Sequence, residues 1–415
     1  MSNPPAPTAA SPRMTTAERR AAGSLASIYG LRLFGMFVIL PVFALYATAL
    51  PGGASHTLIG IALGAYGLTQ AILQIPFGWA SDRWGRKPVI YLGLAIFAGG
   101  SFVAAWAPSI GWVIVGRCLQ GAGAISAAAV ALTADLTRDA VRTRAMAVIG
   151  ITIGGTFAAS LVAGPVLKAW IGVPGIFALT GLLALAAIAI VRYAVPDPGE
   201  EANAPSGQRD VATGDLARVI ADAQLLRLNF GTFTLHAVLM ALFTQLPFAL
   251  RDNGIAADRH WVVYLPVLAA SVLLMLPFLR HVDRPLRGKP LMNGAVIALL
   301  GAQVALALSL HSLVALCVAL TLFFAALNLL EAMLPSLVSK CAPDDARGAA
   351  IGINSTAQFL GAFVGAAAGG WLADHAGDAS VFVFGVAMSA LWLAASATMS
   401  AQPGINRRKF SMGET

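Results

Sequence analysis

The sequence predicts an all-α membrane protein whose twelve transmembrane helices form two related six-helix halves. Three observations lead to this prediction. The composition is too apolar for a water-soluble globule, apolar runs of membrane-spanning length recur twelve times, and a charged loop of the first half is echoed in the second. Together they predict a chain that folds within a lipid bilayer.

The composition excludes an ordinary soluble protein. Of the 415 residues, 58% are hydrophobic and 11% are charged, and the mean hydropathy is +0.77. A soluble domain carries about 25% charged residues. The net charge of +8 does not predict a nucleic-acid partner, because the basic residues are scattered between apolar runs and form no continuous stripe.

The apolar runs are each close to the length of about 20 residues that an α-helix needs to cross a bilayer. Only helices satisfy the backbone hydrogen bonds of such runs within one segment. The predicted spans are 24–49, 58–80, 88–106, 110–134, 145–168, 173–195, 228–250, 260–279, 290–310, 313–338, 348–373 and 379–400.

Lysine and arginine set the expected orientation. Of the 27 basic residues, 22 lie at the termini and in alternate loops, which should therefore face the cytoplasm. We expect a disordered cytoplasmic N-terminus (1–22), a first bundle (23–195), a cytoplasmic linker with a short amphipathic helix in its second part (196–226), a second bundle (227–401) and a cytoplasmic tail (402–415).

The two halves share a loop pattern. Residues 76–88 and 277–290 both contain Pro-Phe, then Asp-Arg six residues after the proline, then Lys-Pro. A second echo pairs residues 144–151 with 347–353, where an arginine precedes Ile-Gly-Ile. Both echoes fall at equivalent loops, which indicates duplicated six-helix units and is typical of transporters.

The first of these loops resembles the signature loop of the major facilitator superfamily. It reads Gly78-x-x-x-Asp82-Arg83-x-Gly85-Arg86-Lys87 and lies between the second and third runs. Supporting motifs are Arg117-x-x-Gln120-Gly121-x-Gly123 in the fourth run and Gly164-Pro165 in the fifth. Residues 31–37, 226–231 and 328–337 are similar to bacterial inner-membrane efflux transporters of this superfamily, without the soluble C-terminal domain that they carry.

The resemblance implies a major facilitator fold and a secondary active transporter that works by alternating access. It implies export of small amphipathic or drug-like molecules in exchange for protons, with the proton gradient as energy source and no cofactor. We expect a monomer in the bacterial inner membrane whose partners are substrate, protons and lipid. The superfamily's antiporter motif continues from Gly-Pro into Gly-Gly, whereas Val166 and Leu167 follow Gly164-Pro165 here, which weakens the prediction of antiport. We expect Gly164 and Pro165 to bend the helix.

The resemblance also implies a conformational latch between the halves. In it, Asp82 pairs with Arg86 and Asp135 near the start of the eleventh span. Arg83 and Lys87 have a simpler alternative explanation, because basic loop residues also keep a loop in the cytoplasm. The expected latch residues are Gly78, Asp82, Arg83, Gly85, Arg86, Lys87 and Asp135.

Ionisable residues inside the spans are few, and each costs about 2.5 to 3.5 kcal/mol at the bilayer centre unless it is paired or hydrated. Glu331 is the one acidic residue well inside a predicted span, and His236 can titrate near neutral pH. With Arg117 and Arg32 they are the candidates for proton coupling. Glu331 could instead pair with a donor such as Lys340, and His236 could simply join two helices.

Polar and aromatic side chains in the spans are candidates for the substrate cavity, since such cavities combine apolar walls with a few polar groups. The expected lining residues are Phe34, Tyr66, Gln70, Gln74, Phe230, Phe233, Gln245, Asn328, Asn354, Gln358 and Phe359.

Other classes of function remain as alternatives. A proton-coupled importer of a small solute would share the fold, and a binding protein without transport would bind ligand independently of a proton gradient. The sequence contains no nucleophile elbow, no His-Glu-x-x-His and no phosphate-binding loop, so we predict no enzyme. No cysteine spacing predicts a metal site.

Overall fold

The computed structural model describes residues 14–53, 55–197, 213–279, 288–343 and 346–399. Its regular elements are helices, as follows: α1 Thr16–Phe37, α2 Leu40–Ala47, α3 His56–Trp84, α4 Arg86–Ala105, α5 Ile110–Ala122, α6 Ser126–Asp135, α7 Asp139–Tyr193, α8 Thr213–Ala221, α9 Ala223–Asp252, α10 Trp261–Leu279, α11 Gly288–Leu308, α12 Leu313–Cys341, α13 Arg347–Ala376 and α14 Ala379–Ala397.

The helices confirm the predicted membrane-spanning architecture. Within the described ranges, 11 segments are long and apolar enough to cross a bilayer, and one of them, Arg144–Tyr193, has 50 residues. That segment holds two passes, because Gly172 interrupts the helical torsions of α7 with a φ of 67°. Glycine adopts this left-handed conformation without the steric cost that a side chain brings. The described ranges therefore provide twelve helical passes of membrane-spanning length, as predicted.

Two of the expected boundaries were wrong. Helix α1 begins at Thr16, so residues 16–22 are helical rather than disordered. A capping box explains the early start, since the Thr15 hydroxyl accepts from the Glu18 amide at 3.2 Å and the Glu18 carboxylate accepts from the Thr15 amide at 2.7 Å. The rest of the predicted N-terminal disorder, residues 1–13, lies outside the described residues.

The linker also ends earlier than predicted. Helix α9 begins at Ala223 because the Asp222 side chain caps it, accepting hydrogen bonds from the amides of Gln224 (2.9 Å) and Leu225 (3.1 Å). The short helix expected in the linker is present as α8. Residues 198–212 of the linker and the predicted tail at 402–415 lie outside the described part of the chain.

The halves meet mainly where α3 packs against α13, where α2 packs against α9 and where α7 packs against α10. In the first half, α1 packs on α7 and α4 packs on α5 and α7; in the second, α9 packs on α13 and α11 packs on α12 and α14. We call the end of the molecule that carries residues 78–89 the loop end, and the end that carries the start of α3 the opposite end.

Candidate functional site

The second half brings a histidine, a carboxylate and an amide together from three helices. His236 on α9 places its Nε2 atom 2.8 Å from Glu331 Oε1 on α12 and 2.8 Å from Gln358 Nε2 on α13. Its Nδ1 atom lies 2.9 Å from the carbonyl oxygen of Thr232, one helical turn earlier. A carbonyl oxygen only accepts, so Nδ1 carries a hydrogen and donates it.

This geometry gives the imidazole two alternative hydrogen bonds. With the hydrogen on Nδ1, the Nε2 atom of a neutral ring accepts from the Gln358 amide. When the ring is protonated, Nε2 also carries a hydrogen and donates to the Glu331 carboxylate, a charge-assisted bond. Both groups lie 2.8 Å from Nε2, so the protonation state of the ring decides whether Nε2 accepts from α13 or donates to α12.

The two titratable groups differ in access. His236 is 8% exposed, whereas the Glu331 side chain is 37% exposed. A charged side chain inside a membrane is costly unless it is paired or hydrated, and His236 is the partner that the structure gives Glu331. The pair thus joins an enclosed imidazole to an accessible carboxylate.

A second polar contact lies one turn before Gln358 on α13. The Asn354 amide donates to Asn229 Oδ1 at 3.0 Å and to Thr232 Oγ1 at 2.8 Å on α9. Thr232 thereby connects Asn354 with His236. The sequence predicted Asn354 and Gln358 as cavity residues but missed Asn229 and Thr232, whose i, i+3 spacing on α9 could have shown that they share a face.

The first half buries an arginine beside an amide and two aromatic rings. Arg32 on α1 is 1% exposed and donates to Gln70 Oε1 at 2.5 Å and to Ser126 Oγ at 3.2 Å. Its guanidinium carbon lies 5.7 Å from the ring centres of both Tyr66 and Phe97. The Nε atom of Arg32 has no hydrogen-bond partner among the residues that the structure describes.

Arg117 on α5 contacts the same tyrosine, with its guanidinium carbon 5.3 Å from the ring centre of Tyr66. It donates to the carbonyl oxygens of Ala62 (3.4 Å) and Leu63 (3.2 Å) and to Gln120 Oε1 at 3.0 Å. The Gln120 amide in turn donates to a serine on α4 at 2.8 Å. Among the residues that the structure describes, neither buried arginine contacts a carboxylate.

At the loop end, Arg86 contacts both carboxylates of the expected latch. It bonds to Asp82 and lies 3.1 Å from Asp135 Oδ2, and it also donates to Ser81 Oγ at 3.0 Å. The Asp82 side chain is 53% exposed, so the second half does not cover it in this state. A Cβ added to Gly78 would lie 3.5 Å from the Ala127 Cβ on α6, an ordinary van der Waals distance.

The other loop residues make their described contacts within the first half. Lys87 donates to the Val195 carbonyl at 2.8 Å and to Asp197 at 2.6 Å, and its ammonium keeps the pKa of the Asp197 carboxyl below its usual value. Gly85 joins α3 to α4 with a φ of 93°. Arg83 lies over the Trp79 ring at 5.5 Å. None of these three contacts reaches the second half.

Several predicted cavity residues lie in these clusters, and others do not. Tyr66 and Phe359 join the two halves with ring centres 6.2 Å apart, and Phe230 stacks with Phe233 at 6.4 Å. Gln70 donates to Gln74 at 3.3 Å within α3. Phe34 is partly buried in the large apolar core of the molecule.

Two predicted cavity residues lie apart from these clusters. The Asn328 amide contacts Ser271 on α10 at 3.4 Å. Gln245 lines a cavity of about 260 Å³ at the opposite end, together with Asp252 and His311. Helical periodicity could not separate them from the rest, because it shows which residues share a helix face and not which neighbour covers that face.

The expected bend residues lie within α7. Gly164 packs against the break between α1 and α2. A Cβ added to Gly164 would lie 2.5 Å from the carbonyl oxygen of Val38 in that break. Pro165 follows it inside the helix, and the residue with non-helical torsions is Gly172. Gly164 therefore permits a close helix crossing, and the reversal between two passes occurs at Gly172.

Comparisons with known proteins agree with this architecture. Residues 25–366 and 228–411 each match the pattern of the Major Facilitator Superfamily. The chain is 43% identical to the inner membrane transport protein YajR of Escherichia coli (strain K12), over 95% of this chain and 86% of that protein. It is 26% identical to the multidrug resistance protein MdtH of Aeromonas salmonicida (strain A449), over 83% and 86% of the two chains.

A solved structure shows the same fold. It is a bacterial homologue of the human lysosomal transporter Spinster, with a TM-score of 0.75 at 14% identity over 93% of this chain and 97% of that one. The sequence matches cover both halves, and the matched proteins are transporters rather than enzymes. The chain therefore belongs to the major facilitator superfamily of membrane transporters.

Proposed function

We propose that this protein exports small amphipathic or drug-like molecules in exchange for protons, by alternating access. The observation that carries the proposal is the contact of His236 with Glu331 and Gln358, a protonation site shared by three helices of one half. The names of two similar proteins, an inner membrane transport protein and a multidrug resistance protein, support export from the cell.

In the proposed cycle, a proton that enters from outside binds the accessible Glu331 carboxylate or passes to His236 Nε2. The bond between His236 and Gln358 is replaced by the bond between His236 and Glu331, which changes how α13 sits against α9 and α12. Release of the proton to the cytoplasm restores the first arrangement. Helix α13 also packs on α3, so the change can reach the first half.

The remaining parts of the proposal concern the pathway and its setting. Tyr66 and Phe359, with Phe230 and Phe233, supply aromatic walls suited to an amphipathic molecule. Arg86 with Asp82 and Asp135 forms a latch that closes the loop end in the other state. We place the protein as a monomer in the bacterial inner membrane with both termini in the cytoplasm, driven by the proton gradient without a cofactor.

The test is transport by purified protein in proteoliposomes under an imposed pH gradient, screened against chemically diverse amphipathic compounds. Glu331→Gln should reduce gradient-driven flux of any transported compound at least about tenfold, because the amide cannot take up a proton. The matched control is Asp252→Asn, which removes an exposed carboxylate from the last residue of α9, in the same half of the molecule. Equal gradient-driven flux in Glu331→Gln and wild type would refute the coupling role.

Import of a small solute with protons is the second candidate, favoured by the absence of Gly-Gly after Gly164-Pro165. Inverted and right-side-out vesicles separate the two directions. Export predicts accumulation in inverted vesicles whose interior is acidic. Accumulation in right-side-out vesicles with an acidic exterior would instead establish import.

A further inference from the structure

Helices α3 and α13 belong to different halves, and they approach closely along one part of their length. A Cβ atom added to Gly67 would lie 2.6 Å from the Phe359 carbonyl oxygen, and one added to Gly64 would lie 2.9 Å from the Phe363 carbonyl oxygen. Both contacts exclude any residue but glycine unless the backbones move apart. This packing runs toward the start of α3, at the opposite end from the signature loop.

An aspartate of α13 bonds to the start of α3, at the end of this helix contact. Asp374, near the end of α13, accepts hydrogen bonds at the start of α3: from the amides of His56 (2.9 Å) and Thr57 (2.8 Å) and from the hydroxyls of Ser55 (2.8 Å) and Thr57 (2.7 Å). The His56 imidazole lies 3.1 Å from the same carboxylate. We call these four residues, Ser55, His56, Thr57 and Asp374, the clasp.

The bonds of the clasp are of a strong kind. The first amides of a helix have no partner within the helix, and the helix dipole places partial positive charge there. A carboxylate that accepts from such amides makes charge-assisted hydrogen bonds, about twice as strong as neutral ones. Here the carboxylate comes from the other half of the molecule, so the bonds exist only while the two halves are together at this end.

The same helix pair is separated toward the loop end. On α3, a Cβ added to Gly78, three turns after Gly67 on the same face, would meet Ala127 of the first half and no atom of α13 within 4 Å. On α13, a Cβ added to Gly352 would meet nothing within 4 Å. The contact between α3 and α13 is therefore closed at the clasp and open toward the loop.

We propose that Asp374 is a positioning residue for transport, which holds the halves closed at the start of α3 and releases them when the pathway opens there. It acts as the counterpart of the Arg86 latch, so that each end of the α3 and α13 pair has its own charged closure. The idea rests on the alternating access of the proposed function, but it concerns a different end of the molecule and different residues.

Distances between spin labels test the clasp without substrate or proton gradient. Cys118, Cys317 and Cys341 are first replaced by serine. One label pair, at Ala49 and Ala256, spans the halves at the clasp end, where both residues are exposed. A second pair, at Ile75 and Ile351, spans the same two halves toward the loop end.

In Asp374→Asn, the ratio of long to short distances between the labels at Ala49 and Ala256 should rise about fivefold. This is the change in an equilibrium that corresponds to the loss of a typical helix N-cap. The distance between Ile75 and Ile351 should shorten in the same sample, because opening at one end closes the other. The matched control is Asp378→Asn, which removes the same charge four residues later from a position without a side-chain cap bond. It should leave both distributions unchanged.

A merely structural role for Asp374 would broaden the first distribution without shortening the second, and that result would overturn the proposal. Unchanged distributions in Asp374→Asn would overturn it as well. If that variant does not purify as a single species, Thr57→Val removes only one hydroxyl donor and should give a smaller shift in the same direction. Undiminished proton-driven flux in Glu331→Gln would count against the proposed function and leave the distance result for Asp374 untouched, so the two ideas fail separately.

Discussion

The two halves of this transporter handle buried charge in different ways. The first half holds Arg32 and Arg117, whose guanidinium groups bond to amides, hydroxyls and carbonyl oxygens and lie against aromatic rings. The second half holds His236 and Glu331, which bond to each other. Arginine stays protonated, whereas histidine and glutamate both exchange protons. In the proposed function, the first half therefore carries fixed charge and the second half carries charge that can change.

The largest expected effect comes from removing fixed charge. Arg117→Met should lower the rate of transport about tenfold or more, because the positive charge beside Tyr66 is lost. The unfolding free energy should stay the same or rise by up to about 2 kcal/mol, since a buried charge without a counter-charge is costly. Flux assays and thermal unfolding in detergent measure the two quantities.

Arg251→Met is the control for Arg117→Met, because Arg251 is half exposed and pairs with its neighbour Asp252. It should change neither quantity. A drop of more than about 1 kcal/mol in the stability of Arg117→Met would mean that the arginine is retained for packing, against the view that the first half keeps a costly fixed charge.

Removing the changeable charge should have the next largest effect. His236→Gln keeps an amide near Glu331 and Gln358 but cannot take a proton. Flux measured from pH 5.5 to 8 should lose most of its dependence on pH and fall several-fold, within the usual range of coupling between sites. His375→Gln alters an exposed histidine stacked on Trp371 and serves as the control. An unaltered pH profile in His236→Gln would show that His236 does not set the pH dependence, and Glu331 would then be the remaining candidate for taking up the proton.

A third variant makes the first half resemble the second. Gln70→Glu places a carboxylate 2.5 Å from the position of the Arg32 Nη2 atom. The resulting charge-assisted pair should raise the unfolding free energy by about 1 to 2 kcal/mol. Gln303→Glu, at a buried site in the second half, should lower it, because the new carboxylate has no arginine beside it in the described structure. Equal effects of the two variants would contradict the view that Arg32 lacks a counter-charge.

The smallest effect is expected at a charge pair exposed to solvent. Lys87 holds the pKa of Asp197 below its usual value of 3.8, so the pair is intact above that value and is lost only as the pH falls through the lower pKa of the folded protein. Its contribution should therefore be constant from pH 5 to 8. Asp197→Asn should leave the melting temperature unchanged in that range, because Asp197 is 82% exposed and Lys87 keeps its bond to Val195. A constant fall in the melting temperature of Asp197→Asn across that range would show that the pair is stronger than its exposure allows.

Much of the fold could be predicted from local patterns. Apolar runs of about 20 residues, ended by charges or proline, gave the number of passes, because lipid leaves a helix as the economical solution for each run. Boundaries failed where side chains cap helices, as Thr15 and Asp222 do. Each cap depends on two side-chain hydrogen bonds, and a hydropathy pattern does not register them.

The candidate site was predictable in its members and not in its contacts. Glu331 and His236 were notable because ionisable residues inside spans are rare, but their contact joins α9 to α12, 95 residues apart in the sequence. The sequence offered Lys340 as an equally reasonable partner for Glu331. Asp374 drew no attention, since an aspartate at the end of an apolar run looks like a boundary charge.

By itself, the sequence determined the class of protein, the twelve passes, the duplicated halves and the small set of charges that a membrane interior makes expensive. These properties follow from hydropathy and loop motifs, which act locally along the chain. Only the tertiary structure decided which charges meet, that Arg32 and Arg117 share Tyr66, and that α3 and α13 are closed at Asp374 and open near Gly78. The physical reason is that hydrogen bonds and charge pairs act over a few ångströms, between helices whose neighbours are set by packing.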